Sequence, residues 1–260
     1  MKYKIISMDF DGTLLTSDKK VTKNTKDILI KYKNEGYYIV GVTARNFSSV
    51  KSVCDTSIFN FIILNNGANI YNVKEDFIIS LGDLNTNLVE KITNYFSNIA
   101  SEIDYCGLNY YYSCRENNNP YILKINSYKQ INEPIVRMNI FLKDSNLDYT
   151  SYINYIKNNY TDLEAFIMTD TDIKNGKKWI AINQAEIDKF ETLKKLCNNL
   201  KVNTDEVIFF GDSSNDIKII NNVGMGVAME NALNIVKEKA KTVTLSNDKE
   251  GIYYFLKNNI

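Results

Sequence analysis

Histidine is absent from the 260 residues of this chain. That absence removes the Ser-His-Asp and Cys-His nucleophilic devices, imidazole-ligated zinc and every histidine general base. Proton transfer must then fall to carboxylates, lysine, tyrosine or cysteine. Net charge is lacking as well. The 31 basic side chains balance 31 acidic ones, which leaves no electrostatic footprint for a phosphodiester backbone and argues against nucleic acid as a partner. Cysteine is scarce: Cys54, Cys106, Cys114 and Cys197 form no CxxC pair, and their spacing suggests neither a metal cage nor a disulfide framework. They read as buried small hydrophobes. No apolar run is long enough for a signal peptide or a membrane span, so a reducing cytoplasm and no membrane contact are expected. Only two prolines stand among abundant Asn, Lys, Ile and Tyr, a bias that carries no mechanism.

What is present suits a folded globular protein, with 44% hydrophobic and 24% charged residues. The length allows one large domain or two modest ones. Ile5 to Met8 is a short apolar run that ends abruptly at Asp9-Phe10-Asp11-Gly12-Thr13, a cluster of turn formers, so a strand delivers two carboxylates to a loop. A helix is predicted over Thr22 to Gly36, a strand over Tyr37 to Val42, a helix over Phe47 to Cys54 and a strand over Phe61 to Leu64. Strand and helix alternate, which argues for a parallel sheet wrapped by helices. The alternation resumes with a helix over Lys189 to Leu200, strands over Val207 to Phe210, Val223 to Met229 and Thr242 to Leu245, and a helix over Ala232 to Lys239.

Between these blocks the texture changes. Strand-like segments at Leu108 to Ser113, Ile135 to Leu142, Leu163 to Thr169 and Lys178 to Ile182 mix with helical ones at Asn87 to Ile99 and Tyr149 to Asn158. The organisation expected is α/β: a Rossmann-like core from residues 1–83 and 184–260, its parallel sheet flanked by helices, with an inserted α+β cap over residues 84–183. In the insert, Tyr110-Tyr111-Tyr112 and Trp179 read as packing or a sheet face in preference to a stacking platform for sugars.

In an open parallel sheet, ligands bind beyond the carboxyl ends of the strands, where the loops converge. Those ends carry Asp9 and Asp11, then Thr43 and Arg45, then Asn66, then Asp212, Asn215 and Asp216. Acidic groups brought together repel unless neutralised, and a hard divalent cation does this best; magnesium suits a few carboxylates with phosphate oxygens and water. A phosphoryl group fits such a site. Its charge would be met by the cation, the Thr43 hydroxyl, the Asn215 amide, backbone N–H groups near Asp11 and Gly12, and Lys189 at the start of its helix.

Asp9-Phe10-Asp11-Gly12-Thr13-Leu14-Leu15 resembles the DxDGTLL signature of the haloacid dehalogenase-like superfamily, and the chain is similar to its Cof-like sugar-phosphatase branch. Thr43-Ala44-Arg45 resembles the second motif, Lys189 the third, and Gly211-Asp212-Ser213-Ser214-Asn215-Asp216 the fourth, GDxxND. Asn66-Gly67-Ala68, Val227 to Ala232 and Asn247 to Ile252 are also similar to that branch. Ala44 and Phe190 stand where the family usually has glycine.

The resemblance implies a magnesium-dependent phosphatase for small phosphate esters, with sugar phosphates foremost. Asp9 would be the nucleophile, passing through an aspartyl-phosphate, and Asp11 would protonate the leaving alcohol and then activate water. Magnesium would be held by Asp9, Asp212 and the Asp11 carbonyl. Thr43, Lys189 and Asn215 would hold the phosphoryl group and Asp216 would support Lys189 or the metal's waters. Arg45 would either touch substrate phosphate or pair with an acidic neighbour. A phosphosugar mutase using the same intermediate, or a non-catalytic ligand-binding relative, is the alternative. A monomer or weak homo-oligomer is expected.

Overall fold

The computed structural model describes residues 2–116, 120–144, 146–169 and 178–260. In chain order the elements are β1 (Ile5–Met8), α1 (Lys23–Asn34), β2 (Tyr38–Val42), α2 (Phe47–Val53), β3 (Phe61–Leu64), β4 (Asn69–Asn72), β5 (Phe77–Ser80), α3 (Thr86–Phe96), β6 (Ala100–Gly107) and β7 (Tyr111–Ser113). There follow β8 (Ile122–Lys124), β9 (Ile135–Leu142), α4 (Tyr149–Asn159), β10 (Leu163–Thr169), β11 (Lys178–Gln184), α5 (Lys189–Asn199), β12 (Val207–Gly211), α6 (Ile217–Asn222), β13 (Met225–Ala228), α7 (Asn234–Lys239), β14 (Thr242–Val243) and α8 (Gly251–Asn259). They form two compact units. The first comprises Met1–Arg45, Val50–Ile79 and Asp188–Ile260, and the second Asn46–Ser49 and Ser80–Ile187.

The first unit is an eight-stranded sheet in the order β14-β13-β12-β1-β2-β3-β4-β5. The six strands from β14 to β3 run parallel, with Ile5 opposite both Val207 and Tyr38. β1 and β12 are buried along their whole length, as strands covered on both faces must be, and they therefore read as continuous apolar runs. Each fully buried Ile or Phe contributes roughly 1.5–3 kcal/mol. α1 begins where the Thr22 side chain accepts from the Thr25 N–H, and Gly36, at φ +96°, follows its end. The two strands beyond β3, β4 and the edge strand β5, were not anticipated. β4 pairs antiparallel to β3, and its Asn-Ile-Tyr-Asn sequence has no strand pattern; pairing supplies what propensity does not. α8 was also missed; it is tied to α1 by the Tyr32 hydroxyl, which donates to the Leu256 carbonyl at 3.0 Å.

The second unit is a six-stranded sheet in the order β10-β11-β9-β6-β7-β8, antiparallel except for β7 with β8. One face packs on α3 and α4 through Val89, Ile92, Phe96, Met138, Ile140, Ile156, Ile180 and Ile182. The strand expected over Leu108 to Ser113 shrinks to β7, and the unexpected β6 precedes it. Ser101, Glu102 and Asp104 interrupt the apolar pattern of β6, which is held by its long ladder with β9. Tyr112 lies in this core and Tyr110 packs against it, while Trp179 and Phe141 put their rings 5.6 Å apart. Cys54, Cys106 and Cys197 are buried and unbridged, but Cys114 is exposed, against expectation. No helix of the described residues is long and apolar enough to cross a membrane.

Candidate active site

The chain leaves β1 towards β2 on one side and returns to its other side as β12, so a topological switch point lies between β1 and β12. Loops leaving two such strands diverge and open a crevice at their carboxyl ends. Asp9 follows β1 directly, its N–H donating to the Phe210 carbonyl at 3.0 Å, and Asp212 follows β12. Two stretches of chain 203 residues apart thus present carboxylates side by side.

Lys189 enters from α5. Asp188 caps that helix, accepting from the N–H groups of Phe190 and Glu191, both at 2.8 Å. A lysine at a helix start is ordinarily solvated, yet this one is 3% exposed. Its Nζ donates to Asp9 Oδ1 at 2.6 Å, to Asp216 Oδ1 at 2.9 Å and to Asn215 Oδ1 at 3.4 Å. Asn66-Gly67-Ala68 explains how α5 is seated. Gly67 is at φ +108°, and a Cβ there would collide with the Asp188 carbonyl, so only glycine lets the end of β3 press against the start of α5. Thr192 then donates to the Gly67 carbonyl at 2.7 Å. Phe190 does not displace the ammonium; its ring is largely buried and carries Lys218 Nζ 5.7 Å from its centroid.

Asp216 is the hinge of the fourth motif. Its Oδ2 accepts from the N–H groups of Asp212 (3.2 Å) and Ser213 (3.1 Å) and from the Ser213 hydroxyl (3.0 Å), leaving Oδ1 for Lys189. Thr13 donates to Asp212 Oδ1 at 2.8 Å. Gly12, at φ +77°, leaves no room for a Cβ, because the Asp212 carboxylate fills that space. Carboxylate oxygens of Asp9, Asp212 and Asp216 all lie within 4.8 Å of one another.

Asp11 faces a different set of partners. Arg45 grips it in bidentate fashion, Nε to Oδ2 and Nη2 to Oδ1, both at 2.7 Å, and Lys19 Nζ reaches Oδ1 at 2.8 Å. Arg45 thus pairs with an acidic neighbour. Thr43 is buried beside it, its hydroxyl accepting from the Arg45 N–H at 3.1 Å. Asn66 adopts φ +57°, donates its N–H to the Thr43 carbonyl at 3.0 Å, and has a buried side-chain oxygen without a hydrogen-bond partner among the described residues.

Electrostatics divide the two aspartates. Burial lifts the Asp9 carboxyl well above its ordinary 3.8, with Lys189 opposing, and burial lifts Asp212 to about 6. Burial also works on Asp11, but Arg45 and Lys19 outweigh it and hold that carboxyl below its ordinary value. For Lys189, burial disfavours the ammonium, and Asp9 and Asp216 more than compensate. Three clustered carboxylates face one buried ammonium, an all-oxygen set with surplus negative charge. That donor set fits a hard divalent cation.

Asp9, Asp212, Asn215, Asp216 and Lys189 are thus directly associated; Asp11 and Arg45 form an adjoining pair, and Thr43, Gly12 and Asn66 frame them. Sequence reading missed Thr13 and Lys19. Thr13 lay inside the first motif and was available to it; Lys19 carried no signal, since an ion pair across a loop leaves no spacing to read.

The chain matches the family model of haloacid dehalogenase-like hydrolases over residues 6–256. It is 25% identical to 5-amino-6-(5-phospho-D-ribitylamino)uracil phosphatase YitU of Bacillus subtilis, covering 97% of this chain and 96% of that protein. A second phosphatase of the same name and organism, YcsE, is 26% identical, covering 96% and 92%. Among solved structures, a haloacid dehalogenase-like hydrolase from Bacteroides thetaiotaomicron superposes with a TM-score of 0.79 at 23% identity over the whole of both chains. A subclass IIB sugar phosphatase gives 0.72 at 18% identity, covering 98% of each. With the family model spanning nearly its full length and the fold in agreement, this chain belongs to the haloacid dehalogenase-like hydrolases.

Proposed function

We propose that this protein is a magnesium-dependent phosphatase of small phosphorylated metabolites, sugar phosphates foremost, working through an aspartyl-phosphate on Asp9. The observation that carries the reading is the pairing of a buried, lysine-bound Asp9 with a second carboxylate, Asp11, held apart by its own cations. One carboxylate is kept for attack and the other for proton traffic. The phosphatase names of YitU and YcsE and the sugar-phosphatase neighbour support the substrate class.

Asp9 and Asp212, with the Asp11 carbonyl, would hold the magnesium ion. When bound, it supplies positive charge to the phosphoryl oxygens and to the carboxylates around it. Asp9 attacks phosphorus as the ester oxygen leaves, and Asp11 gives that oxygen its proton. Asp11 then takes a proton from water as the water oxygen attacks phosphorus and the bond to Asp9 breaks. Lys189, Thr43 and Asn215 hold the non-bridging oxygens through both steps. Asp216, locked by two backbone N–H groups, keeps Lys189 aimed at Asp9.

Phosphate release from a generic aryl phosphate and from a panel of metabolite phosphates tests this. Turnover should require magnesium, and quenched enzyme should carry hydroxylamine-labile phosphate on Asp9. Normal turnover by Asp9→Asn would remove the covalent route.

A further inference from the structure

The second unit holds a cavity of about 440 Å³, formed by the start of α3, the turn at 127–131 and the lead into β9. All of its lining residues belong to that unit. The floor is apolar: Leu84, Val89 and Ile135 are part of the unit's core, and Ile131 packs against it. The walls are fixed by their own hydrogen bonds. Leu84 N–H donates to the Ile135 carbonyl at 2.7 Å, Asn85 caps α3 by accepting from the Leu88 N–H at 2.9 Å, and Ser127 and Gln130 close a capping box over the turn. A pocket held in this way does not have to be ordered by its ligand, and its volume is that of an ordinary small-molecule site.

Charge on the lining selects the ligand. Glu133 is half-buried, and its carboxylate occupies the space that a Cβ on Gly107 would need. Four neutral donors reach it: Asn109 through its N–H and Nδ2, Tyr110 through its N–H and Tyr112 through its hydroxyl. They fill the lone-pair positions of a carboxylate, about four in all, and leave its charge uncancelled. Glu90 lines the same cavity from α3, and burial together with this carboxylate lifts the Tyr128 phenol above its ordinary value. Among the described residues neither Glu90 nor Glu133 has a lysine or arginine as an ion-pair partner. Lys129, exposed, is the cation that lines the cavity. Two carboxylates against one ammonium leave one negative charge beside an apolar floor, and the Tyr128 ring adds an aromatic surface that favours a cation. We propose that this cavity binds a small organic monoamine, its ammonium held by Glu90 and Glu133 and its hydrocarbon body laid on Leu84, Val89, Ile131 and Ile135. A neutral ligand would leave the charge uncancelled, and an anion would add to it. The site uses no residue of the catalytic constellation and stands whether or not the phosphatase reading does.

Phenethylamine, titrated into the full chain by calorimetry and followed through amide chemical shifts, tests this. It should bind with a dissociation constant on the order of 1 mM and shift amides at 84–90 and 128–135. Phenylethyl alcohol and phenylpropanoate should bind at least about tenfold more weakly. Glu90→Gln, on an exposed side chain, should weaken the amine about fivefold and leave the alcohol unchanged. Lys129→Gln should tighten the amine about twofold, a direction that loss of folding does not imitate. Alcohol binding as well as amine, or amine binding unchanged in Glu90→Gln, would reduce the cavity to an apolar groove and overturn the inference. Free phenylalanine binding as tightly as the amine would overturn it too, because Lys129 would then be taking a carboxylate. So would shifts confined to other parts of the chain, or no binding at about 10 mM amine.

Discussion

The two sheets of this molecule handle polar side chains in opposite ways. In the first unit, β1 and β12 are buried from end to end, and their charged residues appear only where the strands stop; the one polar side chain inside β1, Ser7, gives its hydroxyl to the Ile208 carbonyl of β12. In the second, β9 alternates buried and half-buried positions, and polar groups run along the face that α3 and α4 do not cover. There Asp104 stands opposite Asn139 and Cys106 opposite Arg137, with Arg137 beside Cys106 and Tyr111. Parallel strands covered on both faces concentrate chemistry at one edge, and antiparallel strands spread it over a surface. The first arrangement gives a few side chains fixed by backbone on several elements. The second gives many side chains, each fixed by its neighbours across the ladder.

The contrast is sharpest at the strand ends. Asp9→Asn should reduce turnover by about a thousandfold or more while leaving the fold in place, measured as phosphate release beside a thermal melt. Next in size is the strand interior. Phe210 is fully buried on β12, its ring 5.3 Å from that of Phe255, so Phe210→Ala should cost about 3–5 kcal/mol by denaturant titration. A second-unit counterpart is Glu133. It accepts from the N–H groups of Asn109 and Tyr110, from Asn109 Nδ2 and from the Tyr112 hydroxyl, at 2.7 to 3.1 Å. Glu133→Ala should cost about 2–3 kcal/mol, with faster amide exchange confined to β6, β7 and their turn; spread of that exchange into β1 and β12 would erase the distinction between the units.

Asp212 offers a smaller and opposite effect. Its folded value of about 6 lies above its ordinary 3.8, so the native state holds the extra proton between these values. In metal-free protein this contribution is fully present below about pH 4 and is lost as pH rises through about 6. Asp212→Asn should therefore raise the metal-free melting temperature at neutral pH while abolishing magnesium-dependent turnover. The least effect belongs to the surface. Lys218 pairs with Asp188 at 2.6 Å and Glu191 at 2.9 Å on half-exposed side chains, and Lys218→Ala should change stability by less than about 1 kcal/mol.

Legibility followed the same division. β1 and β3 have the bounds that their apolar runs suggest, and β9 and β10 likewise, because hydrophobic runs and alternation are local properties. β4 and β6 were missed because Asn69, Asn72, Glu102 and Asp104 have poor strand propensity and are held by partners distant in sequence. Within the site, each charged residue at a strand end is visible as a residue, whereas of its contacts only that of Asp216 with Lys189 is anticipated, and that from the resemblance and not from spacing.

The sequence by itself determined the chemical inventory: no imidazole, a pair of aspartates leaving the first strand, a lysine opening a helix, and an acidic cluster after a later strand. Residue type and local periodicity are enough for that. Tertiary structure alone decided who meets whom. It gave Lys189 to Asp9 and Asp216, gave Arg45 and Lys19 to Asp11, and packed the Asp212 carboxylate against Gly12. Such pairings depend on how far β12 lies from β1 and on which way a loop is braced, distances that the sheet sets between residues far apart along the chain.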